Sequence, residues 1–476
     1  MSSAVAADRP LTRAFVEPTL ASERVLRGIL RQIGFALADD SKAADLCVAA
    51  VPVDGKLSWC PGSGFAVCDR VATFDPALVL TLETYQRRAG RVDFSGRSFA
   101  VCADRSQKGQ TLHRCVSTLF HLLLSNGQDV RFLWWFPDAA RGVVNYRVDV
   151  DDNTGNSFDN VAGMLQSHMK WCSLYFTTSC FTDNLTSIRR SCEAGAEIGS
   201  HCHYHYTFER DSATNEKNLC ASIGFLRDHG FEVVGAVMPS GKAFPGLGRV
   251  MAETGLRYTS NFGLIYDSLP IEVWDDETGY LDIPVHPVAP GNVIKASTTL
   301  SGIDDYLIEY YLEAADHLSG AFLPLFFYGH NNDTVRLALL PRLLEELEAR
   351  FPDHAFLRLD HYAAFWQRRL RRLASGAHRA DGPISHALIT HTSPDQVSVI
   401  GADGVKTWPL ALDTLLRSPL SIVGEGTRKP RLRDRVADRF EFETVLPISA
   451  LSLLSHQGWK SAGYKILHRI IRALIR

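Results

Sequence analysis

The sequence has no uninterrupted apolar run of about 18 residues, so no segment reads as a membrane span. Its first residues, MSSAVAADRPLTRAF, lack the apolar core of a secretion signal. Charge of one sign is also missing. Lys+Arg number 50 and Asp+Glu 53, a net charge of -3, which excludes a global field that would gather nucleic acid. No nucleic-acid partner is expected. The 10 cysteines stop at Cys220, and none forms a CxxC pair. Many sit in apolar surroundings, such as Cys47 in DLCVAA and Cys115 in HRCVSTLFHLLL, where cysteine behaves as a small hydrophobe. These spacings exclude a zinc ribbon and a disulfide framework. Reduced thiols without an export signal point to the cytoplasm. Internal repeats and low-complexity tracts are lacking too.

What is present is a globular composition, 46% hydrophobic and 22% charged over 476 residues, long enough for two or three domains. Residues 1–137 alternate helical and extended patterns. ASERVLRGILRQI (21–33) and the segment 111–124 have apolar residues at helical spacing. No polar cluster with evident chemistry occurs there, so this part reads as an N-terminal α/β accessory domain. Residues 138–375 are more regular. Extended candidates at 144–150, 173–178, 197–200, 231–238, 257–262, 280–285, 322–329 and 355–359 alternate with helical candidates at 184–195, 214–229, 245–255, 303–317 and 335–350. Alternation over that length predicts a parallel α/β fold, as a (β/α) barrel or, failing that, a doubly wound sheet.

Residues 376–476 read as a small β-rich extension, with the basic stretch TRKPRLRDR at 427–435. Its end, 459–476, is patterned as a basic amphipathic helix. Trp459, Ile466, Leu467, Ile470, Ile471 and Leu474 share one face, and Lys465, Arg469, Arg472 and Arg476 the other. Such a helix lies on an anionic membrane surface, which would make the protein peripheral on the inner face of a membrane, or docks on its own core.

Three places in the regular region collect ionisable side chains where strands are predicted to end. Asp149, Asp151 and Asp152 close the hydrophobic run in YRVDVDDN. Acids there are costly unless they meet a cation or a partner, and a helix cap explains one aspartate but not three. EIGSHCHYH brings His201, His203 and His205 within five residues, and two imidazoles with a carboxylate suit zinc and leave positions open for water. On a helical turn His201 and His205 would face one way; on an extended segment all three would. FFYGHNND places His330 at the end of the most hydrophobic strand candidate.

Together these residues resemble the polysaccharide deacetylase superfamily, also termed NodB-homology or carbohydrate esterase family 4. Asp151-Asp152 looks like the family's paired acids, and His201 and His205 have the spacing of its two histidine ligands. LYFTTSCFTDNLTSIRRSCEAGAEIGSH reads like the stretch leading to the first metal histidine. VVGAVMPSGKAF followed by MAETGLRYTSNFG looks like its third motif and the next helix–strand unit. The resemblance covers about half the chain. It implies a NodB-type distorted (β/α) barrel that hydrolyses an N-acyl, chiefly N-acetyl, group from an amino sugar in a polysaccharide, lipid-linked or nucleotide-linked glycan. It also implies a divalent metal, Zn2+ first with Co2+ or Ni2+ able to substitute, held by Asp152, His201 and His205. Asp151 would be the base and His330 the general acid. The string RVDVD also resembles the lipid-linked aminoarabinose deformylase branch, where Asp149 would be the base and Asp151 the ligand. The arginine that opens the family's third motif would fall near Val237, so the partner that orients the catalytic aspartate is missing there, with Lys242 a candidate substitute. Asp267 and Trp274 lie in the neighbourhood of the fourth motif. That missing arginine leaves a second reading open: a catalytically degenerate domain that binds a glycan or a biosynthetic partner.

Overall fold

The computed structural model describes residues 10–423 apart from 84–86, 95–96, 105–107, 154–156, 182–184, 208–211, 276–277, 297–301, 335–338 and 376–382. The segment 459–476, read above as an amphipathic helix, lies outside the described residues. No described helix is long and apolar enough to cross a membrane.

In the N-terminal part, β1 (Arg13–Val16), β2 (Ala36–Leu37), β3 (Leu46–Val48), β4 (Leu57–Pro61), β5 (Ala66–Cys68) and β6 (Val71–Phe74) form one sheet in the order β2-β1-β3-β4-β6-β5. It is parallel except at the edge strand β5. The helix Glu23–Ile33 buries Val25, Leu26, Ile29, Leu30 and Ile33, the face its periodicity predicts. Beyond this sheet come the hairpin β7 (Arg87–Phe94) and β8 (Arg97–Asp104), then β9 (Val130–Leu133).

The central sheet contains β10 (Val143–Val150), β11 (Cys172–Phe176), β12 (Glu197–Ser200), β13 (Gly235–Ala236), β14 (Tyr258–Thr259), β15 (Ile271–Asp275), β16 (Thr278–Asp282), β17 (Leu325–His330) and β18 (Ala355–Phe356). Eight of the nine overlap the extended segments read from the sequence; β15 was not foreseen. The order is β15-β16-β14-β13-β12-β11-β10-β17, with β18 also paired to β10. Every pairing is parallel except β15 with β16. β10 to β14 are buried at every position, as expected of parallel strands covered on both faces.

The sheet curls into a half-barrel, because strands far apart in its order touch across the interior. Arg147 on β10 donates from Nη1 to the Ser260 carbonyl at 2.6 Å and to its hydroxyl at 3.0 Å, just beyond β14. The hydroxyls of Tyr175 (β11) and Tyr258 (β14) lie 2.5 Å apart. Past β16, the His286 N–H donates to the Phe326 carbonyl of β17 at 2.9 Å, so the far ends of the sheet meet at one point. A Cβ on Gly235 would stand 2.4 Å from the Tyr258 ring, so only glycine lets that ring cross the interior.

Strand pairing also runs between parts of the chain that are far apart in sequence. In the C-terminal part, β19 (His386–Thr390), β20 (Ser393–Gly401) and β21 (Gly404–Pro409) continue a sheet whose fourth strand is β9. β22 (Ser421–Val423) pairs with β7. Segments from both sides of the half-barrel therefore share sheets, and residues up to 153 with 157–423 form one compact unit.

At the N-terminal end of β12, Glu197 is buried. It accepts hydrogen bonds from the Tyr258 hydroxyl and, at 3.1 Å, from the Asp360 N–H. Burial first, and the Asp360 charge second, push its carboxyl up to about 7. An acid raised in the folded state holds its proton there after the unfolded chain has lost it. Its contribution to stability is therefore full below the ordinary glutamate range and is lost as pH rises to about 7. Glu197→Gln is expected to flatten the decline in urea midpoint between about pH 4.5 and pH 7. An unchanged slope would show that Glu197 is ionised throughout.

Candidate metal centre

Strand alternation sorts the residues at the end of β10. Arg147 and Asp149 point to the interior of the half-barrel, and Asp151 continues that parity just past the last strand residue. Arg147 and Asp149 form a two-pronged ion pair, Nε to Oδ1 at 2.8 Å and Nη2 to Oδ2 at 2.9 Å. The guanidinium is fully buried, with the Tyr328 ring 4.9 Å from its carbon. A buried charge is tolerated only when paired and hydrogen-bonded, and here each side of the pair meets that need for the other.

The guanidinium that pairs with Asp149 thus comes from β10 itself, two residues away. Sequence reading missed Arg147, although the signal was present. In RVDVD it stands two residues before Asp149, on the same face of any strand.

β12 ends at Ser200, and the chain then turns tightly, with Cys202 in the left-handed region at φ 66°. The segment is neither the helical turn nor the extended strand considered from sequence. His201 is buried and its N–H donates to the Phe176 carbonyl at 2.9 Å. Its Nδ1 lies 2.8 Å from the Val237 carbonyl, which fixes the proton there and leaves Nε2 as a lone-pair donor. That Nε2 faces Asp151 Oδ1 at 3.3 Å, and His205 Nε2 faces the same oxygen at 3.1 Å. One donor atom from each of Asp151, His201 and His205 lies within 4.8 Å of the others. Ligands about 2.0–2.1 Å from a tetrahedral ion stand roughly 3.3–3.4 Å from one another. The triad therefore has the spacing, donor types and preset tautomer of a zinc-type site. Burial alone would raise the Asp151 carboxyl. The facing imidazoles of His205 and His201, with His330 nearby, outweigh that and hold it well below the ordinary aspartate range.

Asp152, expected as the carboxylate ligand, is not part of this triad; the structure brings Asp151 there instead. Along an extended chain the next residue departs to the opposite side. The Asp152 carbonyl accepts a hydrogen bond from Asn331 Nδ2 at 2.6 Å. His203 is turned away as well, its Nδ1 2.9 Å from the Thr178 hydroxyl and its ring against Tyr204. His330 ends β17 in register with Asp149, close enough for its charge to act on Asp151. Asp267 is buried in a separate network with His286 at 3.0 Å and Ser418 at 2.9 Å. Trp274 lies on β15 with the Arg24 guanidinium over its ring.

Metal analysis of three variants tests the arrangement. His201→Ala and His205→Ala are each expected to lower zinc affinity by more than about 100-fold, beyond the effect of removing an outer hydrogen bond. His203→Ala is expected to keep the metal. Equal losses in all three would dissolve the triad.

No protein-family model and no curated protein matches this sequence. Solved structures match about half of it. A protein described as a probable polysaccharide deacetylase from Pseudomonas aeruginosa is 16% identical, over 48% of this chain and 92% of that one, at a TM-score of 0.41. A family 4 carbohydrate esterase from Streptomyces lividans, in complex with acetate, is 15% identical over 46% and 92%, at 0.32. A pseudoenzyme of the same esterase family from Bacillus anthracis is 10% identical over 48% and 66%, at 0.34. At such values similarity does not stand in for the geometry of the site.

Proposed function

We propose that this chain is a metal-dependent deacetylase that removes an N-acyl group, chiefly acetyl, from an amino sugar in a polysaccharide, lipid-linked or nucleotide-linked glycan. The observation that carries this reading is the convergence of Asp151, His201 and His205 beside the Arg147-clamped Asp149 and the strand-end His330. Two imidazoles and a carboxylate suit zinc, with cobalt or nickel as substitutes. The ion would supply Lewis acidity toward the amide carbonyl and toward an attacking water.

The chain's own residues divide the remaining work. Asp149 takes the proton of the water at Oδ1, which carries no hydrogen bond beyond its ion pair. Arg147 holds that carboxylate in place through the two-pronged ion pair. His330 delivers a proton to the departing sugar nitrogen, without which an amide nitrogen leaves poorly. Relative to the paired-acid expectation, Asp151 moves from base to ligand and Asp149 becomes the base. Binding of the basic amphipathic segment 459–476 to an anionic membrane surface would favour a lipid-linked form of the sugar.

Metal content of the purified protein, measured beside acetate and formate release from N-acyl amino sugars, tests this reading. About one ion per chain with acyl release supports it. Bound metal without turnover on any such sugar would select the glycan-binding alternative.

A further inference from the structure

The loop that carries both histidine ligands is irregular and is held partly by neighbouring elements. It reverses direction within five residues and passes through the left-handed φ of Cys202. The Cys202 side chain is a buried thiol, a weak hydrogen-bonding group. One residue of the neighbouring helix Ser212–Asp228 pins the turn at four points. The Asn218 carbonyl accepts the His203 N–H at 3.0 Å. Its side-chain oxygen accepts the Tyr204 N–H at 2.7 Å, and its Nδ2 donates to the carbonyls of Tyr204 at 2.9 Å and Tyr206 at 3.0 Å. Asn218 is itself buried, at 3% exposure. Its contacts span 203–206, the stretch that sets where His205 stands relative to His201. Only an amide offers an acceptor and two donors from one planar group, which is what two carbonyls and an N–H on one turn require.

We infer that Asn218 is a positioning residue for the metal centre: it templates the 203–206 turn so that His205 meets Asp151 and His201 before any ion arrives. This rests on the metal reading proposed above. Preorganisation of this kind raises affinity because the loop has little conformational freedom left to lose when the ion binds. Side chains that orient metal ligands typically contribute 10–100-fold in affinity when removed.

The test uses the full-length protein stripped of metal, with zinc affinity measured by competition against a chromophoric chelator. Asn218→Ala and Asn218→Asp both remove the two Nδ2 donor bonds. Each is expected to weaken zinc binding about 10–100-fold and to speed zinc release. Wild-type protein that binds zinc, with both variants within twofold of it, would overturn the inference while leaving the metal centre standing. Wild-type protein that binds no zinc would overturn the metal reading itself. Should the variants fold poorly, hydrogen exchange on metal-free wild-type protein decides the point. The amides of His203 and Tyr204 are expected to be protected without zinc, and fast exchange at both would overturn the inference.

Discussion

Asp149→Asn is expected to keep its metal and lose about 10²–10⁴-fold in turnover, the range for removing a general base. Asp151→Asn is expected to lose the metal itself. The contrast separates the two pairings that the sequence left open. If Asp151 were the base and Asp152 the ligand, Asp151→Asn would retain its ion and Asp152→Asn would release it. The geometry favours the other outcome, because Asp151 Oδ1 is the single oxygen that both imidazoles face, at 3.3 and 3.1 Å. Asparagine at 149 still offers an oxygen to the Arg147 guanidinium, so the buried cation keeps an acceptor and the strand is expected to survive. Metal content and acyl release measured on the same preparations read both effects at once. An Asp151→Asn protein with a full complement of zinc would return Asp151 to the role of base.

Arg369→Met is expected to cost about 3–5 kcal/mol of folding stability, because it strands buried carbonyls that cost about 1–3 kcal/mol each. Arg369 lies on the helix Leu359–Ser375, is fully buried, and has no carboxylate among its hydrogen-bond acceptors. Its donors go instead to the carbonyls of Arg31, Gln32, Leu133 and Trp134 at 2.9–3.3 Å. Arg31 and Gln32 are in the last turn of the helix Glu23–Ile33, where carbonyls lack helical partners and the dipole favours a cation. Leu133 ends β9 and Trp134 follows it. One guanidinium thus joins the end of the helix Glu23–Ile33, β9 and its own helix Leu359–Ser375, with the Trp366 ring 4.5 Å from it. Burial pushes Arg369 down to about 9, which leaves it charged at neutral pH. Methionine fills much of the volume but leaves four carbonyls short of a donor, each worth about 1–3 kcal/mol when stranded. Gly34 makes the approach possible. It sits at φ 107°, and a Cβ there would lie 2.5 Å from Arg369 Nη2 and from the Leu133 carbonyl. Equilibrium unfolding in guanidinium reads the loss, and a change below about 1 kcal/mol would show that those carbonyls find other donors.

The sequence by itself determined the elements and the chemistry on offer. Hydrophobic runs, helical periodicity and strand-end acids and histidines are local patterns. They located eight strands of the central sheet and named Asp149, Asp151, Asp152, His201, His203, His205 and His330 as the groups to watch. Local pattern also contained Arg147, since a period of two puts it on the face of Asp149, but a buried arginine within an apolar run is easily passed over as a lone charge.

Only the tertiary structure decided which groups meet. The choice of Asp151 over Asp152 depends on the last residues of β10 keeping their alternation beyond the sheet. The exclusion of His203 depends on a turn through φ 66° that neither helical nor extended spacing anticipates. The pairing of β9 with β19, and of β22 with β7, joins residues more than 200 positions apart. Asn218 and Arg369 act through backbone groups contributed by other elements. Periodicity reports which face of an element is buried. It carries no information about what lies opposite that face, and the carboxylate, imidazoles and carbonyls of this protein acquire their partners only when the half-barrel curls and brings distant strands together.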